Sequence, residues 1–498
     1  MRVKKHMVLL AALAATAAVA AGLVPSPATS AHAAASPVEH IVIIDQENHS
    51  FDNVLGDLCA RVAAGTFVRD GLNQACDGVR TGKIHTGATI NLPPADDIVP
   101  EIPHSVQSHD TSIDNGAMDG FDLLKHCGAA DNYACYQQYS TGQSPNLTTF
   151  AKEFGVADRF FEFRWFSSWM SHTTMVSLDM DGFQGNIPKT TQSQTTGRGW
   201  GCDSFLDAKW SATGKAPWSQ QPACIPDQAG NGPYRTSPVS YVPSLMDRMQ
   251  AAGVSWKIFG SGGPSGGGAY GWTICPTFWS CLGHSDQKAN FKNAANFIKS
   301  AQDHTLPQVS IVTPLGKDSQ HNTTSWTRGD NWLGTLISAI VSNGYWDTTS
   351  VFITYDDCGC FYDHVAPAAS GLGIRLPFVV MGPYAKAGFT DSHTTTWANM
   401  AAYVESTFNV PNINAQDSGA YDFANAFDYA QTPLPPPATV TTPIPAAATR
   451  FLAAHPYFCE TAQEGGRASA VPCAKTTIGN RGQRLWSPTL EPRRSGHG

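Results

Sequence analysis

The chain has 498 residues, a formal net charge of -8 at pH 7 and only 14% charged residues. An acidic balance gives no bulk electrostatic reason to bind nucleic acid or an anionic membrane. The length and the low charged fraction fit one large, well-buried α/β core carrying long insertions rather than a string of small modules. At the N-terminus, Arg2, Lys4 and Lys5 precede an apolar, Ala-rich run over 8–24 and a small-residue cleavage site at Ala31-His32-Ala33. This is the pattern of a secretory signal over residues 1–33, so the mature protein is expected to be exported, and more acidic than the full chain. No later run is long and apolar enough to span a membrane. All twelve cysteines follow the signal, and in an exported protein that count suggests disulfides rather than zinc. Near neighbours give the simplest pairs: Cys59 with Cys76, Cys127 with Cys135, Cys202 with Cys224, Cys275 with Cys281, and Cys459 with Cys473. Cys358 and Cys360 stand apart; their spacing is awkward for an unstrained bridge, so they either pair elsewhere or form a strained link.

The first predicted element is a buried strand over Ile41–Ile44, whose residues are all β-branched and apolar. It turns abruptly polar at Glu47-Asn48, where the carboxyl end of an α/β strand offers a ligand site. Residues 57–143 lack sustained periodicity and read as an insertion over the active face, carrying His104 and His109. Ser144-Pro145 opens a helix that Gly155 ends. A strand follows over Val156–Phe163, then hydroxyls at Ser167, Ser168 and Ser171, and a helix through Thr173–Leu178. Residues 183–238 read as a second surface insertion. A helix over Val242–Ala252 and a strand over Val254–Phe259 lead into a Gly-rich loop at 260–268, which lacks phosphate-loop spacing. Helical patterns over Asn290–Gln302, 326–344 and Thr395–Phe408 alternate with strands over Gln308–Thr313, Ser350–Tyr355 and Leu376–Met381. This alternation predicts a mainly parallel central sheet with helices on both faces. The Pro-rich residues 431–498 read as a peripheral extension with a cysteine-stapled segment, leaving 34–430 for the catalytic domain.

Three polar clusters follow predicted strands: Glu47-Asn48, Ser168, and Asp356-Asp357. A parallel sheet brings its carboxyl ends to one edge, so these groups are expected to converge as a cage of hard oxygen donors beside a hydroxyl. Such a cage suits a divalent cation, and a cation beside a hydroxyl suits phosphoryl transfer. His104 and His321 lie in loops, where an imidazole can hold a phosphate oxygen or protonate a leaving alkoxide. His364 is a further candidate because it closely follows Asp356-Asp357, and His393 and His172 are weaker ones. His172 is read as structural, beside the hydroxyl turn.

With these residues in place, the sequence resembles the bacterial phosphoesterase family that contains secreted phospholipases C and an acid phosphatase, within the alkaline-phosphatase-like superfamily. The matching motifs are Glu47-Asn48-His49-Ser50-Phe51-Asp52, His104-Ser105, Gly116-Ala117-Met118-Asp119-Gly120-Phe121, Asp158-Arg159-Phe160-Phe161, and the run Thr354–Pro367. Trp346 and Leu376-Pro377-Phe378 also fit. The resemblance covers residues 38 to 412 and implies an alkaline-phosphatase-like fold. It implies metal ligands at Glu47, Asn48, Asp356 and Asp357, a nucleophile at Ser168, and phosphate-pocket histidines at His104 and His321. Two positions depart from the family pattern: Met170-Ser171 replaces the usual Pro-Asn after the nucleophile, which leaves Ser167 and Ser171 as competitors, and Cys360 stands where the family usually has Gly.

The expected function is a secreted, metal-dependent phosphoesterase that works through a phosphoserine, of phospholipase C or acid phosphatase type. Its substrate is a phosphate ester or a phospholipid, and for the latter Trp165, Phe166 and Trp169 are candidates for an apolar rim. The alternative is a secreted binding protein that kept the fold without the chemistry.

Overall fold

The structure is a computed structural model that describes residues 36–189, 200–260 and 274–454. The expected signal, all but the first residue of the Gly-rich loop, and the Cys459/Cys473 pair lie outside the described residues. Eight strands form the central sheet: β1 His40–Gln46, β2 Gly155–Ala157, β3 Trp256–Gly260, β4 Phe291–Asn293, β5 Val309–Val312, β6 Thr349–Tyr355, β7 Phe378–Met381 and β8 Thr390–Asp391. Their spatial order is β8-β2-β7-β6-β1-β5-β3-β4. The five strands from β6 to β4 run parallel, β7 is antiparallel to both neighbours, and β2 pairs parallel with β8. The sheet is thus mixed α/β and mostly parallel.

β1 and β6 are the two longest strands and lie side by side at the centre, both almost entirely buried. Their continuous β-branched and aromatic runs are what a strand covered on both faces requires. Packed around the sheet are α1 Val106–Ile113, α2 Pro145–Glu153, α3 Ser168–Ser177, α4 Trp326–Ser342 and α5 Trp397–Phe408. The α4 helix is started by Ser325, whose hydroxyl accepts from Arg328 N–H. Its buried residues Leu333, Leu336, Ile337 and Ile340 recur at helical spacing. The described part of the Pro-rich segment crosses over α2 and α4. There Val440 exchanges hydrogen bonds with the Asn146 side chain, and Thr442 N–H donates to Asn331.

Several expectations change. Residues 291–293 are an edge strand beside β3, and the helix there is shorter, Asn296–Gln302. The strand expected over Val156–Phe163 spans only Gly155–Ala157, with single bridges at Phe160 and Phe161 beyond it. Ser168 therefore does not sit at a strand end; it opens α3 after an irregular turn. Four disulfides join the expected pairs Cys59–Cys76, Cys127–Cys135, Cys202–Cys224 and Cys275–Cys281. Cys358 and Cys360 are free and buried, in neither of the two bridged arrangements the spacing suggested.

Candidate metal centre and active site

The site is built where β1 and β6 end. The two strands pair in register from His40↔Thr349 to Gln46↔Tyr355. The next residue on each chain is an acid, Glu47 on one and Asp356 on the other. Asp356 N–H donates to Gln46 carbonyl at 2.9 Å, and Glu47 N–H donates to the Ser319 carbonyl at 3.0 Å. The chain then turns at Asn48, which adopts a left-handed φ of 60° and donates its N–H to Asp356 Oδ1 at 2.8 Å. Gly359 lets the other turn approach: a Cβ there would stand 2.2 Å from the Asn48 carbonyl oxygen. Cys360 follows at φ 50°, a conformation glycine tolerates best.

Ser168 comes in from α3. Its Oγ lies 3.2 Å from Asn48 Oδ1 and 3.3 Å from Asp357 Oδ2. The neighbouring hydroxyls are committed elsewhere: Ser167 donates to the His104 carbonyl and Ser171 to the Asp356 carbonyl. The structure thus brings Glu47, Asn48, Ser168, Asp356 and Asp357 together, all fully buried. His104 and His321 flank them with ring centroids 6.0 Å apart. Each has Nδ1 against a backbone carbonyl, of Ile102 and of Asn322 respectively. That leaves Nε2 of His104 facing the Asn48 amide at 3.4 Å. Burial, reinforced by His104, holds His321 well below the usual imidazole range.

Among the described residues, no lysine or arginine pairs with Glu47 or Asp356. Burial, then repulsion from Asp356, Asp45 and Asp357, pushes Glu47 well above the usual carboxylate range; burial and Asp357 do the same to Asp356. Glu47 Oε2 and Asp356 Oδ2 are buried without a hydrogen-bond donor among the described residues. The Asn48 amide gives the same message. As placed, its oxygen points toward acceptors; turned over, its nitrogen would lie 3.2 Å from Asp356, Asp357 and Ser168, and its oxygen 2.7 Å from His321 Nε2. The first orientation makes sense with a cation among the carboxylates, the second without one. A set of hard oxygen donors with orphaned oxygens fits a divalent cation.

Two further residues join this cluster: Asp45, which the sequence reading passed over, and His172, which it took as structural beside the hydroxyl turn. Asp45, on β1, is fully buried, and His172, one helical turn beyond Ser168 on α3, lies between Asp45 and Glu47. Asp45 had a signal: a carboxylate inside a strand of apolar residues must have a partner. His364 and His393 are elsewhere. His364 sits between Asp52 and Asp77, in a network centred on Arg375, and His393 contacts Asp391. Phe166 and Trp169 are core residues, with Trp169 bonded to Thr277 and edge-on to Phe183, so they form no rim.

A model of the phosphoesterase family matches residues 38–411, three quarters of the chain, in a span that contains every residue of the cluster. The chain belongs to the phosphoesterase family. Membership places it among hydrolases of phosphoric esters. It is 25% identical to the non-hemolytic phospholipase C of Burkholderia pseudomallei, over 54% of this chain and 53% of that one. Phospholipase C A of Mycobacterium tuberculosis is 22% identical over 80% and 78% of the two chains. The chain thus spans about half the length of the first relative and more of the second. Solved structures it resembles include a protein in the alkaline phosphatase superfamily from Vibrio parahaemolyticus, with a TM-score of 0.31, 13% identity and coverage of 57% and 64%. Another is the lipoteichoic acid synthase LtaP from Listeria monocytogenes, with a TM-score of 0.32, 11% identity and coverage of 76% and 73%.

Proposed function

We propose that this phosphoesterase is an exported, divalent-metal-dependent hydrolase of phosphate esters that uses Ser168 as its nucleophile. The observation that carries the proposal is a buried hydroxyl 3.3 Å from a carboxylate, inside an acidic cage where Glu47 Oε2 and Asp356 Oδ2 lack donors among the described residues. Glu47, Asn48, Asp356 and Asp357 would hold the cation, which supplies charge to ease deprotonation of a hydroxyl and to offset charge building on phosphoryl oxygens. Ser168 Oγ attacks phosphorus in line with the leaving oxygen and becomes a phosphoserine, which water then cleaves. His104 and His321 turn Nδ1 to backbone carbonyls and Nε2 toward the site; an imidazole so placed takes the proton that leaves Ser168 Oγ, then holds a phosphoryl oxygen and passes that proton to the leaving alcohol. Phospholipids are the first substrate class to try, because the relatives named above are phospholipases C; soluble phosphomonoesters are the second.

The test assays phosphatidylcholine for phosphocholine release beside a soluble phosphomonoester, with and without a chelator. Turnover that Ser168→Ala removes while the fold persists is the expected result. Full activity in that variant refutes the nucleophile. One observation favours the alternative of a non-catalytic binding protein: Ser168 is completely enclosed. On that reading the cation only holds the fold together, and no ester of either class turns over while metal still binds.

A further inference from the structure

From the juxtaposition of Asp45, His172, Glu47 and Asp356, we infer that His172 is an additional ligand of the metal and that Asp45 is the residue that orients it. This rests on the metal reading above and extends it to two residues outside the ligand set that the family resemblance implies.

The imidazole of His172 is buried and has an acid at each nitrogen. Nε2 lies 3.0 Å from Glu47 Oε1 and 3.7 Å from Asp356 Oδ2, while Nδ1 lies 3.1 Å from Asp45 Oδ2. One donor atom from each of Glu47, His172 and Asp356 lies within 4.8 Å of the others, the spread of ligands around one ion. Beyond this, Asp45 contributes two carboxylate oxygens without a well-aligned donor, and Glu47 Oε2 and Asp356 Oδ2 are orphaned on the other side of the ring. Among the described residues, no lysine or arginine pairs with Asp45, Glu47 or Asp356. The arrangement suits a carboxylate–histidine–metal relay: Nδ1 faces the outer acid at 3.1 Å, and Nε2 would turn its lone pair to an ion held by Glu47 and Asp356.

The chain places these groups by simple means. Asp45 and Glu47 are two residues apart at the end of β1, so both side chains leave the strand on the same face. His172 is four residues after Ser168 on α3, so the hydroxyl and the imidazole share one side of the helix. The helix thereby delivers two groups to the cage at once. When the ion binds, the proton on Nε2 leaves for solvent and the Nδ1 proton stays on the Asp45 side. An imidazole in an otherwise all-oxygen set shifts preference from Mg2+ or Ca2+ toward Zn2+, Mn2+ or Co2+.

The experiment uses the full chain, stripped of metal and titrated calorimetrically with Zn2+ and with Mg2+, and a Co2+-loaded sample examined by proton NMR. Wild type is expected to favour Zn2+ and to show a solvent-exchangeable, hyperfine-shifted imidazole N–H signal. His172→Gln should lose that signal and about ten- to a hundredfold in Zn2+ affinity, with Mg2+ affinity changed far less. Asp45→Asn should keep the signal but move it. If His172→Gln keeps both the signal and the Zn2+ affinity of wild type, His172 is a buried counter-cation and the inference fails while the metal site stands. If wild type binds no divalent ion, the metal reading itself fails, and this inference with it. Should His172→Gln not fold, an N–H signal unmoved by Asp45→Asn overturns the assignment.

Discussion

Two buried acidic clusters lie within a few residues of each other along this chain, and they have opposite characters. In one, Asp52 and Asp363 surround Arg375, whose guanidinium reaches Asp363 at 3.1 Å and Asp52 at 3.3 Å and stacks on the Phe51 ring at 4.2 Å. His364 closes that network from the outside. In the other, no lysine or arginine among the described residues pairs with Glu47 or Asp356, and the imidazole of His172 lies 3.0 Å from Glu47. The first cluster is complete as folded. The second is arranged as if its positive charge were still to arrive. Both follow the same β1 and β6 strands, and each could be mistaken for a metal site from sequence, because acid and histidine spacing alone does not reveal whether an arginine from a distant loop fills the gap.

The comparison can be broken at several points. The largest effect is expected for Ser168→Ala, which should lower turnover by at least about a thousandfold, measured with metal saturating, while circular dichroism stays unchanged. Removing Arg375 as Arg375→Met should destabilise the fold by about 3–5 kcal/mol, because it leaves the buried Asp363 without the guanidinium that balances its charge; chemical denaturation measures this. Removing an acid from the other cluster should do the reverse. Asp356→Asn should raise the melting temperature of the metal-free protein by relieving repulsion, and should abolish the metal's stabilising effect. In wild type, a divalent ion at a hundred times its Kd should add about 2.7 kcal/mol, visible as a melting shift that a chelator reverses. A loss of stability in metal-free Asp356→Asn would mean that the two clusters are alike after all.

The smallest effect concerns pH. Burial works against protonation of His364, but its contact with Asp52 prevails and raises it above the ordinary imidazole value of 6.5. Its contribution to stability is therefore fully present below about pH 6.5 and is lost as pH rises through the folded value. His364→Gln should flatten that part of the stability–pH curve, measured by melting between pH 5 and pH 9 in the presence of chelator. An unchanged slope would remove His364 from the network.

The central strands and most helices were legible because their patterns are long and periodic: Ile41–Ile44, Ser350–Tyr355 and the seventeen-residue α4 all lie where the sequence suggests. The edge strand Phe291–Asn293 was not, since three residues beside a helical pattern carry no period of their own, and only pairing with β3 makes them extended. The direction of β7 was equally hidden, because a short apolar run reads alike in either orientation. At the site, Glu47-Asn48 and Asp356-Asp357 stood out as polar residues directly after buried strands. The Cys358-Gly359-Cys360 turn was misread. Spacing raises the question of a bridge, but the answer lies in α1, where the buried His109 lies 3.3 Å from Cys358 Sγ and 3.2 Å from Glu162. Glu162 in turn accepts the Cys358 N–H at 2.6 Å. None of those partners is near in sequence.

The pairing of β1 with β6 has a consequence for how the cage comes apart. Its acids are continuations of the two innermost strands, so they lie in the part of a fold that opens last. Amide hydrogens along Ile43 and Ile353 are expected to exchange only when the whole molecule unfolds. If the cage holds a cation as proposed, that ion can leave without the cage dissolving. Scarcity of metal would silence such a protein reversibly, without sending it to the proteases that clear unfolded chains.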